Sequence, residues 1–238
     1  MTKFQRPADL EFPLVYRTFK APDSENRDIV EYRVQDLLES DYEHAADLMV
    51  SDFVNEESLA LCRGVYKDEN AVAEIRKIWR AVLNENISLG CYDNKNKLVG
   101  LTILAVHEKN FEESVIEFET DEVNDVISAL YFIETQHDIF AKYNTDKYLT
   151  DYGMVTSHNY RQRGVATEIL KARIVLMKNL NIKVTAGAFT VIGSQRAAIK
   201  ANYIEGFSIK WTEVEKKFPA FDFSIANVDC CKIMEFAI

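Results

Sequence analysis

The chain has 238 residues, of which 47% are hydrophobic and 28% are charged, a balance typical of a globular protein with a sizeable core. No apolar run approaches the ~20 residues that a membrane helix needs, and no apolar segment follows the N-terminal charges as it would in a signal peptide. The formal net charge of −10 argues against general nucleic-acid binding, because no basic face is implied.

The cysteines and histidines show no spacing typical of a metal or redox site. The four cysteines, Cys62, Cys91, Cys230 and Cys231, lack a C-x-x-C pattern, and the four histidines are scattered. We therefore expect free thiols, a cytoplasmic location and no bound metal.

The spacing of apolar residues predicts one α/β domain with a mixed sheet over residues 29–238. Residues 1–28 contain three prolines and show no clear period, so we expect an extended N-terminal arm there. The remaining pattern predicts, in chain order, a strand at 29–35, helices beginning near 41 and spanning 70–83, strands at 87–92 and 98–107, a helix at 123–142, a strand at 149–156, a helix at 165–180, a strand at 182–189, a helix at 195–203 that ends at Gly206, and strands at 208–215 and 232–237.

A basic turn separates the strand at 149–156 from the helix at 165–180. Its residues are Arg161, Gln162, Arg163, Gly164, Val165, Ala166 and Thr167. A turn that leads into a helix leaves backbone N–H groups pointing outward at the positive end of the helix dipole, which suits a pyrophosphate. Gly164 would let the backbone approach the anion, and the arginines would flank it. Taken alone, however, such a turn is more often an ordinary loop.

The turn and a second motif together resemble the GNAT acetyltransferase superfamily. The second motif is the segment 194–207, which resembles the helix of that superfamily that ends in Gly-Phe. The resemblance implies a mostly antiparallel central sheet flanked by helices, with acetyl-CoA as co-substrate. It also implies that Arg161 to Thr167 hold the pyrophosphate, and that Met154, Val155 and Thr156 lie along the pantetheine arm.

A narrower resemblance is to the insect arylalkylamine N-acetyltransferases. Residues 53–59 resemble the F-x-x-D-E-P-L motif of that group, which implies that Glu57 is the general base, with Glu56 as the alternative. Without the resemblance, both glutamates would be interpreted as a solvated face of a loop. Ser194 aligns with a serine of the same group, but it could equally be the N-cap of the helix that follows.

The sequence departs from the family pattern at three positions. Ser58 stands where the insect motif has proline, Ala198 where a second serine is expected, and Asn202 where many acetyltransferases have a tyrosine acid. An aromatic pocket for the amine could include Phe53, Tyr66 and Trp79, although aromatic residues at helical spacing more often form core.

Three functions are compatible with these patterns. The first is acetylation of the primary amine of a small molecule, an arylalkylamine, by direct attack in a ternary complex. The second is acetylation of a polyamine, a hydrazine or a protein amine, and the third is a non-catalytic CoA-binding module. In each case we expect a small-molecule ligand and neither nucleic acid nor membrane as partner; the oligomeric state is left open.

Overall fold

The computed structural model describes residues 4–109 and 118–238. In chain order, these residues form β1 (Val15–Pro22), β2 (Ile29–Asp36), α1 (Tyr42–Leu48), α2 (Ser58–Arg63), α3 (Glu69–Leu83), β3 (Leu89–Tyr92), β4 (Leu98–Glu108), α4 (Asp121–Thr135), α5 (Ile139–Tyr143), β5 (Lys147–Thr156), α6 (Val165–Asn179), β6 (Val184–Phe189), α7 (Ile192–Lys200), β7 (Ile204–Lys210), α8 (Trp211–Lys217) and β8 (Cys230–Ala237).

The strands form a single eight-stranded sheet in the order β1-β2-β3-β4-β5-β6-β8-β7. Neighbouring strands are antiparallel except β5 and β6, which are parallel. Helices flank this sheet, and the predicted fold class is therefore confirmed.

Two apolar layers cover the two faces of the sheet. On one face, Trp79 and Leu83 of α3 pack with Ile103 of β4. On the other face, Ile169 of α6 packs with Leu104 of β4. Alternate residues of a strand point to opposite faces, so β4 supplies side chains to both layers and is buried along nearly its whole length. Burying each large apolar side chain contributes about 1.5–3 kcal/mol, which makes these layers the main source of stability.

The segment predicted as an N-terminal arm includes a strand of the sheet. β1 pairs antiparallel with β2, from Pro22 opposite Ile29 onward. Because β1 is an edge strand, a proline at its end removes no essential hydrogen bond, and the prolines here did not exclude a strand. The helix α2 was also not predicted; the side chain of Glu57 caps it.

Three predicted elements differ in the C-terminal half. The helix predicted at 123–142 is two helices, because the Asp138 side chain accepts a hydrogen bond from the Ala141 N–H (3.0 Å) and starts α5. The chain leaves α7 through Asn202, whose φ is 66°, so the prediction that Gly206 ends this helix is wrong: Gly206 lies within β7. The strand predicted at 208–215 ends at Lys210, where α8 begins.

Candidate active site

A cleft opens where β5 and β6 diverge. In the described part of the chain, their pairing covers Leu149 and Thr185 alone. Beyond that point β5 remains paired with β4 as far as Thr156, whereas β6 pairs with β8. β5 has one extra residue in this stretch, and Gly153 adopts a φ of 131° there. The gap between the strands is part of a cavity of about 630 Å³.

The free edge of β5 forms one wall of the cavity. Met154, Val155 and Thr156 all line it, as the resemblance implies. The Thr156 hydroxyl is buried, and among the described residues it has no hydrogen-bond partner. A buried polar atom without a partner is costly, so this wall is suited to an extended ligand that offers amide groups.

The basic turn lies at the N-terminus of α6 and faces the same cavity. Gly164 is the N-cap with a φ of 83°, and a Cβ built on it would have no described atom within 4 Å, so the backbone is open to a ligand. Its neighbours Arg161, Gln162, Val165, Ala166 and Thr167 also line the cavity. Because the first N–H groups of a helix have no internal partner, this end can hold an anion.

The two arginines of the turn have different surroundings. Arg163 does not point into the cavity: its Nε donates to the Pro22 carbonyl (2.9 Å) and its Nη1 to the Arg161 carbonyl (3.0 Å). It therefore braces the turn against β1. Arg161 lines the cavity, donates to the Thr156 carbonyl (3.2 Å) and forms an ion pair with Glu56 (2.7 Å).

Two further cations on the cavity wall were missed in the sequence. Arg196 and Lys200 of α7 both line the cavity. Their i, i+4 spacing in a predicted helix places them on one face, and this signal could have identified them. With the turn and the β5 edge, they form a side of the cavity that fits a phosphate-bearing extended molecule such as the cofactor that the resemblance implies.

The opposite part of the cavity is aromatic and apolar. Phe53 and Trp79 are in edge-to-face contact, with ring centroids 5.9 Å apart, and Trp79 Nε1 donates to the Tyr152 carbonyl (2.9 Å). Aliphatic side chains of α3 and α4 complete this wall: Ile75, Ile78, Val126, Ile127 and Leu130. Tyr66 is 42% exposed and is not part of the wall, so of the three aromatic residues proposed from the sequence, two line the cavity.

Glu57 is a buried carboxylate in the cavity wall. It is 8% exposed, and its oxygens accept hydrogen bonds from the N–H groups of Leu59 (3.0 Å) and Ala60 (2.7 Å). Burial raises the pKa of Glu57, while hydrogen bonds from the Thr190 side chain and from these two N–H groups act in the opposite direction. A carboxyl group whose pKa is raised toward neutrality is suited to accept a proton from an amine.

The polar side chains on either side of Glu57 are both bound to other groups. The Glu56 carboxylate also lines the cavity, but it is bound to Arg161. The Ser58 hydroxyl donates to the Thr190 carbonyl (2.5 Å) and thereby joins the start of α2 to the end of β6. The residue that replaces the proline of the insect motif is thus a structural link.

Ser194 lies in the first turn of α7 and lines the cavity. The N-cap of α7 is Val191, so the alternative interpretation of Ser194 as the N-cap is wrong. The Ser194 hydroxyl donates to the Val191 carbonyl (2.9 Å). Ala198 is buried in a cluster with Leu170 and Phe189, and it offers no hydroxyl to the cavity.

The cations and the carboxylates of the cavity wall come from different segments, and they meet at Arg161, which pairs with Glu56 and Asp52. The cations Arg161, Arg196 and Lys200 belong to the turn and to α7. The carboxylates that line the cavity are Asp52, Glu56 and Glu57 between α1 and α2, Glu134 of α4 and Asp151 of β5. This arrangement can bind a polyanion and a cation in one cavity.

Among residues 4–109 and 118–238, there is neither a helix suited to crossing a membrane nor a His, Cys, Asp and Glu cluster suited to a metal ion.

Comparisons with known proteins give a match at the level of structure. No protein-family model matches the sequence, and no curated protein matches it. A solved structure named arylalkylamine N-acetyltransferase 7, from the yellow fever mosquito Aedes aegypti, superposes with a TM-score of 0.93 at 32% identity, and the alignment covers 99% of each chain.

Two more distant structures share the fold. Arylalkylamine N-acetyltransferase 2 from Aedes aegypti gives a TM-score of 0.78 at 17% identity, over 87% of this chain and 99% of the other. Polyamine N-acetyltransferase from Drosophila melanogaster gives 0.70 at 10% identity, over 87% and 100%. The match at 32% identity over nearly all of both chains, together with the turn before α6 and the splayed strands, shows that this chain belongs to the insect arylalkylamine N-acetyltransferase family of the GNAT superfamily.

Proposed function

We propose that the protein transfers the acetyl group of acetyl-CoA to the primary amine of a small molecule, by direct attack in a ternary complex. The observation that supports this most is the single cavity described above, in which a basic turn and a free strand edge face an aromatic, carboxylate-lined pocket. A ternary complex requires both ligands to bind in one connected space, and this cavity provides it.

On the cofactor side, the chain's own groups would hold and orient acetyl-CoA. The N–H groups that follow Gly164 would bind the pyrophosphate, supported by Arg161. The β5 edge at Met154, Val155 and Thr156 would bind the pantetheine amides as an added strand would. A backbone N–H of this edge would donate to the thioester oxygen as negative charge develops on it. When bound, acetyl-CoA supplies the activated acyl group.

On the acceptor side, we propose Glu57 as the base. An alkylamine is mostly protonated at neutral pH, and it attacks only after losing a proton. Glu57 is buried, lines the cavity and has a raised pKa, so it can accept this proton directly or through water. Glu56 is the alternative, although its ion pair with Arg161 would have to break first. We propose Ser194, which lines the cavity, as an auxiliary proton carrier; its hydroxyl would first have to leave the Val191 carbonyl.

The acceptor that we propose is an arylalkylamine. Phe53 and Trp79 offer ring faces and edges to an aromatic group, and the carboxylates attract the ammonium group. The same carboxylates support a second candidate, a polyamine, because Asp52 and Glu134 add negative charge to this part of the cavity beyond Glu57. A polyamine would leave the aromatic wall without a matching group.

The test is an acetylation assay over a panel of amines, with release of the CoA thiol as the readout. We expect turnover with arylalkylamines such as tryptamine and dopamine, and a higher kcat/KM for them than for spermidine or agmatine. Preference for spermidine or agmatine would select the second candidate. Tight binding of CoA without turnover of any amine would contradict the catalytic proposal and indicate a CoA-binding module.

A further inference from the structure

Arg173 of α6 is a fully buried charged residue next to the cleft. It is 0% exposed and ranks among the largest side chains that are completely enclosed. Its Nη1 donates to the carboxylate of Asp151, and its Nη2 donates to the carbonyl oxygens of Leu149 (3.0 Å) and Ala186 (3.1 Å). One guanidinium therefore binds three acceptors.

These acceptors lie at the point where the two strands separate. Leu149 belongs to β5 and is the residue that pairs with Thr185 of β6, and Ala186 is the next residue of β6. The hydroxyl of Thr185 also donates to the Leu149 carbonyl (2.9 Å). Side-chain hydrogen bonds thus connect β5 and β6 where the ladder between their backbones ends.

Asp151 extends this connection into the cleft. It lies on β5 two residues beyond Leu149, and it lines the cavity. A Cβ built on Gly187 of β6 would come within 2.9 Å of its carboxylate, so β6 leaves room for Asp151 at this level. The ion pair with Arg173 therefore fills the base of the gap between the two strands.

The chemistry of arginine suits a bridge of this kind. Its planar guanidinium has donors fixed in a fork, and it can bind two strands and a carboxylate at once, whereas a lysine ammonium acts as a point charge. A buried ion pair is weak evidence for stability, because apolar side chains can fill the same volume at least as well. A role in fixing the geometry of the two strands explains why a charge is placed here.

We propose that Arg173, together with Asp151, is a positioning residue that fixes the separation of β5 and β6 and so sets the width of the cleft for acetyl-CoA. This inference rests on the proposed function for the identity of the ligand. Arg173 itself is enclosed between α6 and the sheet and acts through the β5 edge, whose residues Met154 to Thr156 line the cleft.

The test is the Arg173→Lys variant, with CoA binding measured by calorimetry on folded protein without an amine. Lysine keeps the charge beside Asp151 but cannot bind both strands. We expect the Kd for CoA to rise about tenfold, the loss typical of one hydrogen bond to a charged group, and the KM for acetyl-CoA to rise more than the KM for the amine.

Arg6→Lys is the matched control. Arg6 also forms a buried ion pair with an aspartate, Asp36, and binds two backbone carbonyls, but this pair joins the N-terminal segment to the end of β2 and does not line the cavity. We expect Arg6→Lys to lower the Tm and to leave the Kd for CoA unchanged. If Arg173→Lys lowers the Tm in the same way and binds CoA as the wild type does, the positioning role is wrong.

A second variant covers the case in which Arg173→Lys does not fold. Thr185→Val removes the hydroxyl that binds the Leu149 carbonyl and preserves the shape of the side chain. We expect a rise of about threefold in the Kd for CoA, and a wild-type Kd in a folded Thr185→Val protein would overturn the proposal. Failure of the wild type to bind CoA would instead contradict the proposed function.

Discussion

Glu57 has two roles that a substitution must separate. Its carboxylate caps α2 through the N–H groups of Leu59 and Ala60, and it also lines the cavity. Replacement by alanine would remove the cap as well as the proposed base, at a cost of about 0.5–2 kcal/mol in stability. Glutamine retains one of the two oxygens that form the cap and cannot accept the proton, so it is the sharper substitution.

We expect Glu57→Gln to lower kcat at pH 7 by about 10²–10⁴-fold, the usual contribution of a general base. Activity should recover partly at high pH, where the amine loses its proton without help. The measurement is a pH profile of kcat at saturating acetyl-CoA. Glu56→Gln is the control and should retain most of the activity; the opposite ranking of the two variants would assign the base to Glu56.

Gly164 is the second residue that allows a sharp prediction. Valine at this position would have to adopt a φ of 83°, which strains its backbone. Its side chain would also project into the open space before α6. We expect Gly164→Val to raise the KM for acetyl-CoA at least tenfold. Gly64→Val is a matched control, because Gly64 has a φ of 80° at the end of α2 and does not line the cavity. Equal KM values for both variants would remove the turn from the proposed cofactor site.

At the residue scale, the sequence predicted which segments meet but not where each side chain points. The turn, the β5 edge, Glu57 and Ser194 all lie around one cavity. Sequence motifs can predict this, because they identify a fold that brings these segments together. Arg163 was predicted to flank the phosphate, but it binds the Pro22 carbonyl instead. Its direction depends on β1, a strand that the sequence did not predict, so local reasoning could not have determined it.

At the scale of elements, Gly206 shows why one residue type can indicate the wrong feature. Glycine commonly ends helices, yet here a Cβ would lie 2.6 Å from both Glu235 and His137. Because Gly206 has no side chain, β7 can pass over the buried Glu235. The left-handed position after α7 is occupied by Asn202, the other residue type that tolerates this conformation.

We therefore expect Gly206→Ala to destabilise the protein by about 1–3 kcal/mol, the usual cost of overpacking. The measurement is the free energy of unfolding in urea. Gly193→Ala is the control, because a Cβ built on Gly193, in the first turn of α7, has no described atom within 4 Å, and alanine favours the helix there. Equal stability of the two variants would contradict the close contact at Gly206.

The breaks between elements were harder to predict than the elements themselves. Apolar spacing runs through Ile133 and Phe140, so periodicity alone gives one helix where α4 and α5 are separate. The break depends on Asp138, whose side chain competes for backbone N–H groups. Likewise, Glu57 is both a motif residue and the N-cap of α2, and the motif indicates only the first of these roles.

At the scale of the whole molecule, a partly buried acid links stability to pH. Glu85, after α3, has an Oε2 atom that is buried and has no hydrogen-bond partner among the described residues. Burial raises the pKa of Glu85 from 4.5 to about 7. Above pH 4.5 the unfolded chain therefore releases this proton more readily than the folded chain does, and stability falls as the pH rises toward about 7.

We expect Glu85→Gln to be more stable than the wild type at pH 8 by roughly 2 kcal/mol, a value reduced for partial exposure, and to lose this advantage near pH 4.5. The measurement is urea unfolding at the two pH values. Glu215→Gln, at an exposed position of α8, is the control and should follow the wild type. A gain for Glu85→Gln that is the same at both pH values would show that burial of the charge is not the cause.

The placement of the two tryptophans has an optical consequence. Trp79 lies in the aromatic wall of the cavity, whereas Trp211 is stacked on Phe223, with ring centroids 4.6 Å apart, outside that wall. In a Trp211→Phe variant, the remaining indole emission would come from the wall that we propose as the binding site of an aromatic amine. Titration with the amine in the absence of acetyl-CoA would then change the fluorescence on binding, and repeating it with CoA present would reveal the order in which the two ligands enter.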